Sequence, residues 1–158
     1  MATILLCILF IFIPSEQTHE AAFFNALSSS DMQILDDQIV QLKKSTSSAK
    51  INAYLGTMLM KRSAFENSIG DKISMFKEGH KMLEEQIQAN PDNTEYRFLR
   101  LAVQENAPSI LGYNSNIDED KALLLKNFKT LSSELKTYIL NYSNVSTILS
   151  SEELKING

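Results

Sequence analysis

Arg97, Arg100 and Gln104 recur at spacings of three and four residues within the stretch NPDNTEYRFLRLAVQENAPSILGYN, residues 90–114. On a helix those spacings put three long polar side chains on one strip. A guanidinium offers five N–H donors in a planar fork that matches carboxylate geometry, so a pair of them one turn apart suits carboxylates and carbonyls. Two uses follow. In one, the arginines tie their helix to acidic side chains or loop carbonyls of the same chain, because a charge on a covered helix must be paired. In the other, one of them, with Gln104, Tyr113 or Asn114, faces a groove and grips a partner's carboxylate or backbone. The second use makes Arg97, Arg100, Gln104, Tyr113 and Asn114 the candidate binding residues.

Other chemistries find little to work with. The two histidines, His19 and His80, lie far apart, and His80 falls on the edge of an apolar stripe between Phe76 and Leu83, so neither suggests a metal ligand. Asn114, Asn116, Asp118 and Asp120 alternate like the opening of a calcium loop. Glu119 stands where that loop needs Gly and Leu125 where it needs Glu, so helix capping is the better account. No Gly-x-Ser-x-Gly elbow, phosphate loop or dinucleotide fingerprint is present, and no carboxylate pair falls in an evident cleft. The sequence therefore points to a non-enzymatic protein with no metal and no cofactor. Asn141 and Asn144 each begin a glycosylation triplet, which matters only in a eukaryotic secretory route.

The elements that must hold the arginine strip are helical. The chain has 158 residues, 44% hydrophobic and 22% charged, which suits one folded domain, and strand-like alternation is rare. A net charge of −4 without a Lys/Arg-rich run argues against a nucleic-acid partner. The uncharged run ILLCILFIFI at residues 4–13 is too short to span a bilayer and matches the core of a signal peptide, assigned to residues 1–15. Its removal takes away the single cysteine, Cys7, and leaves no stable membrane insertion. The alternative is an uncleaved N-terminal anchor. From residue 23 to 155 the pattern predicts one all-α domain of antiparallel helical hairpins, a helical-repeat-like bundle of six or seven helices. After a short entry helix around Phe23, Phe24 and Leu27, helices are expected over 31–44, capped by Ser30, then 49–65 and 72–89. The central helix follows at 93–106, started by Asp92 with Glu95 as capping-box partner and ended by Pro108. The apolar 107–115 connection, with Ile110, Leu111 and Tyr113, should pack down. Further helices begin after Asn116, with Glu119 as its box partner, after Ser132 or Ser133, and after Ser150.

The segment GHKMLEEQIQANPDNTEYRFLR, residues 79–100, resembles the second helix, turn and next helix of a tetratricopeptide-type repeat, with Gly79, Leu83, Ile87 and Pro91 at its marker positions and Leu55-Gly56 like its first-helix signature. Most of residues 23–155 also resembles a group of small exported bacterial proteins of unassigned function that share a core like NPDNTEYRFLRLAVQENAPSILGY. These resemblances imply a helical fold and a periplasmic or extracellular location. The expected function is an exported protein-protein interaction module whose groove, near the central helix and the 107–115 loop, holds a peptide or partner helix. A small-ligand-binding bundle with an apolar pocket is the alternative. N-terminal sequencing of exported material should begin near residue 16, and a chain still starting at Met1 would assign the apolar run to an anchor.

Overall fold

In the computed structural model, residues 16–108 and 111–157 are described. The proposed signal segment and Ile110 lie outside them. Eight α-helices are found among these residues, with no strand: α1 (Glu16–Ser28), α2 (Met32–Lys44), α3 (Ala49–Ser63), α4 (Ile69–Ala89), α5 (Thr94–Asn106), α6 (Ile117–Asn127), α7 (Ser133–Tyr142) and α8 (Ser151–Asn157). A 3-10 turn, Phe128–Thr130, follows α6. The all-α hairpin architecture is as expected, with one helix more than the upper count. None of the described helices is long and apolar enough to cross a membrane.

Helix starts are set by short polar side chains that accept a backbone N–H of the first turn. Ser48, Ser68 and Ser132 do this for α3, α4 and α7, and Ser150 and Glu153 exchange both bonds of a capping box ahead of α8. Five assignments at helix ends differ from expectation, the first being α3, which stops at Ser63, two residues short of the expected end. Asp31, not Ser30, caps α2. Helix α4 starts three residues early, at Ile69, because Ser68 and Asp71 bond each other and hold its first turn around Gly70. The cap of α5 is Asn93, not Asp92. Asn93 N–H donates to the Asn90 carbonyl at 3.0 Å, so Pro91 and Asp92 are the central residues of a turn and the capping position falls one residue later. Asn116 precedes α6 but makes no side-chain cap bond.

The core is centred on α5, whose Phe98, Leu99, Arg100 and Leu101 are all buried. Four consecutive buried residues cannot share one helix face, so α5 is covered on more than one side, by α3, α4 and α6. Helix α1 closes one side. Its Phe23 ring stacks on Tyr54 of α3 at 3.7 Å, and Lys61 of α3 donates to the Leu27 carbonyl near its C-terminal end. The tightest junction is between α3 and α4, where Gly56 faces Gly79. A Cβ on Gly56 would sit 2.6 Å from the Gly79 carbonyl oxygen and 2.9 Å from the Leu83 nitrogen. Only hydrogen fits there, and the two backbones touch.

Gly79→Ala should therefore lower stability by about 1–3 kcal/mol, the ordinary range for overpacking, despite alanine's better helix propensity. Gly70→Ala, whose nearest neighbour is the Ser68 hydroxyl at 3.8 Å, should raise it by about 0.5 kcal/mol. Urea unfolding of both variants checks the contrast.

Candidate functional site

The arginine strip is engaged from within. Arg100 comes from the middle of α5, between Leu99 and Leu101, and its guanidinium forks onto Asp120 of α6, with Nε to Oδ2 at 2.6 Å and Nη2 to Oδ1 at 2.7 Å. Its remaining Nη1 donates to Glu84 of α4 at 3.0 Å. Arg97, one turn earlier, pairs with Asp120 at 3.0 Å and with Glu119, and its Nε donates to the Pro91 carbonyl at 3.0 Å. Tyr113 completes the network by donating to the other oxygen of Glu84 at 2.6 Å. Burial pushes the Tyr113 hydroxyl well up, and Glu84 adds to that. Burial also pushes the Asp120 carboxyl up, against the pull of Arg100.

Both guanidinium groups are held by carboxylates of their own chain, and Arg97 also by a carbonyl, which is the first of the two uses open to them. Gln104 is buried as well. Its Nε2 donates to Asn116 at 3.3 Å and its Oε1 has no partner among the described residues. Asn114 is exposed and stands apart from the network. Of the five candidate residues, the structure links Arg97, Arg100 and Tyr113 through Glu84 and Asp120, places Gln104 beside them, and leaves Asn114 outside.

The polar side of α5 serves packing at both ends. Glu105 accepts from Tyr142 at 2.6 Å, from the Ser146 hydroxyl at 2.7 Å and from the Thr147 hydroxyl at 2.9 Å, and it also receives the Thr147 and Ile148 backbone N–H groups. Burial raises its carboxyl, but these donors outweigh burial and hold it below the usual range. At the other end the capping-box role expected of Glu95 gives way to a tertiary one, because the cap falls at Asn93. Glu95 accepts the Tyr54 hydroxyl and faces Lys50 at 3.6 Å, and burial pushes its carboxyl up.

Glu95 belongs to a polar cleft that sequence reading missed. Glu20 of α1, Lys50 of α3 and Glu95 of α5 meet there with Asn93, Thr94 and Ser132 around about 370 Å³ of space. Lys50 bridges Glu20 at 2.7 Å and lies 5.5 Å from the Tyr54 ring centre. Its residues come from four separated stretches of chain, so no local spacing announces it. A second shallow cleft, of about 360 Å³, runs between α1 and α7 beside Phe24 and Tyr138.

The other open feature is apolar. Ile69, Ile73, Phe76 and His80 follow one another by three or four residues on α4, in line with the buried Leu83 and Ile87. Tyr113 covers the inner part of this stripe edge-on, 5.8 Å from Phe76 and 4.5 Å from His80. Beyond Phe76 the cover ends: Ile73 is 39% exposed and Ile69 77%, with Phe65 at the end of the hairpin at 36%. Leu111, expected to pack down, is itself 36% exposed on the 107–115 loop. The chain matches no protein-family profile, no curated protein and no solved structure.

Asp120→Asn should destabilise by about 3 kcal/mol, because it removes the buried carboxylate on which Arg97 and Arg100 converge. Loss of a single exposed ion pair such as Lys81–Glu85 should cost less than about 1 kcal/mol. For Glu105 the folded carboxyl lies below its unfolded value of 4.5, so its stabilisation is full above that pH and disappears as pH falls through the folded value. Glu105→Gln should reduce stability at neutral pH and flatten the acid limb of a denaturation profile.

Proposed function

We propose that this chain is an exported, non-enzymatic interaction module that docks a partner helix along the open end of α4, beside the 107–115 loop. The observation that carries this reading is the stripe on α4. A core-facing row of side chains continues for two turns past its own cover, and Ile69 is 77% exposed at its end. A row of apolar residues at helical spacing is what an amphipathic helix uses to seat its own apolar face. This groove starts where Tyr113 of the 107–115 connection meets α4 and uses Ile69, Ile73 and Phe76 in place of the arginines.

Two further points support the reading. Gly56 and Gly79 bring α3 and α4 into backbone contact, which suits the tetratricopeptide-like hairpin suggested by Leu55-Gly56 and Gly79. The apolar run at residues 4–13 favours export to the periplasm or beyond. The small-ligand alternative rests on the cleft at Glu20, Lys50 and Glu95. That cleft is open and lined mainly by polar groups, whereas the alternative calls for an apolar pocket.

The reading is tested with a displayed library of amphipathic helical peptides, each binder mapped by amide chemical-shift changes. Binding should perturb the 69–80 and 111–113 amides and fall by about tenfold or more in Ile69→Asp/Ile73→Asp, which removes exposed apolar anchors. Selected peptides that map to the Glu20–Lys50–Glu95 cleft, or a library that yields no binder, would overturn it.

A further inference from the structure

Resting on the docking surface proposed above, the charges around it point to the kind of helix that fits. Along the open end of α4, Lys72 and Lys77 are the cationic side chains nearest Ile69, Ile73 and Phe76 in sequence. Their placement on α4 is not random. With 3.6 residues per turn, Lys72 and Lys77 fall roughly 70° to either side of the line through Ile69, Ile73, Phe76 and His80, while Asp71 and Glu78 fall on the far side. The apolar stripe is therefore bordered by lysines along both edges.

Lys72 is partly fixed by donation to the Ala64 carbonyl at 3.0 Å, which seats its ammonium beside Phe65 at the end of the hairpin. Lys77 is exposed. Neighbouring cations are already used: Arg62 is paired with Asp36 at 2.7 Å and with Glu66 at 2.9 Å, and Lys81 is paired with Glu85 at 3.6 Å.

We infer that the partner is an amphipathic helix whose apolar face is flanked on both sides by Asp or Glu, seated on α4 with its acidic edges against Lys72 and Lys77. Complementary charge along both rims sets partner choice and speeds encounter, while the buried apolar row supplies most of the affinity. A helix with the same apolar face and basic edges meets like charge on both sides and is rejected.

The test uses the full chain and three probes: a synthetic helical peptide with Leu/Ile at i, i+4 and i+7 and Glu on both flanks, the same peptide with Lys on the flanks, and vesicles of phosphatidylglycerol and phosphatidylcholine. The acidic peptide should bind more tightly than the basic one by about tenfold or more at low salt, with the gap narrowing as salt rises. Lys77→Glu with Lys72→Gln should reverse that order while leaving helicity unchanged. Binding of both peptides with equal affinity overturns the charge inference and leaves the docking surface standing. Binding of neither peptide overturns both. Vesicle binding that Ile69→Asp/Ile73→Asp abolishes, with no peptide bound, assigns the stripe to a membrane surface and also overturns both. A stable dimer that buries Ile69 and Ile73 in sedimentation and amide exchange gives the surface to a second copy of this chain and overturns the acidic-helix assignment.

Discussion

The forked contact between Arg100 and Asp120 is the constraint around which the middle of this protein is arranged. Both side chains are almost fully removed from water, and a buried charge without a partner is far more costly than a buried pair. Once Arg100 sits among Phe98, Leu99 and Leu101, α6 must bring Asp120 to it and α4 must bring Glu84. Arg97 and Tyr113 are then drawn to the same carboxylates, and the turn at Pro91 is tied in through its carbonyl. One charge pair thus specifies the relative placement of three helices and of the loop between α5 and α6. Apolar side chains of similar volume would fill the space but would not specify that register.

The helices were legible in the sequence because apolar spacing and capping residues both report on short range. Where the boundaries shifted, another local rule prevailed: at Asp92 a proline turn took the expected cap, and at Gly70 a Ser–Asp cap carried a helix through a residue that reads as a break. The arginine network was half legible. The two guanidinium groups stood out as needing partners, and Asp120 was open to notice, since it stands four and eight residues before Leu124 and Phe128 on the apolar stripe of α6. An acid on an apolar stripe faces inward and requires a cation. The alternation of Asp120 with Asn116 and Asp118 suggests helix capping instead, and a place at the helix start suits the exposed Asp118 and Glu119.

The cleft of Glu20, Lys50 and Glu95 was not legible, because its members meet only after α1, α3 and α5 pack. Glu95 had a plausible local use in a capping box, and tertiary packing gave it a different one against Tyr54. The open end of α4 lay between these cases. Its spacing identified a core-facing row, but the point at which the cover runs out depends on how far Tyr113 reaches. Spacing therefore revealed which side chains share a face, and the three-dimensional arrangement decided which of them were left to meet something else.

The facing glycines of α3 and α4 bear on how the chain acquires its shape. Twenty-odd residues separate Gly56 from Gly79, and the contact needs no distant segment to form it. A junction between sequence neighbours closes a small loop at little entropic cost, so this hairpin is suited to be the nucleus on which later helices condense. Substitutions that crowd it then slow refolding more than they hasten unfolding, whereas changes at the α1 aromatic stack act mostly on the unfolding limb. The same two hydrogens that let the backbones touch would set the order in which the bundle is built.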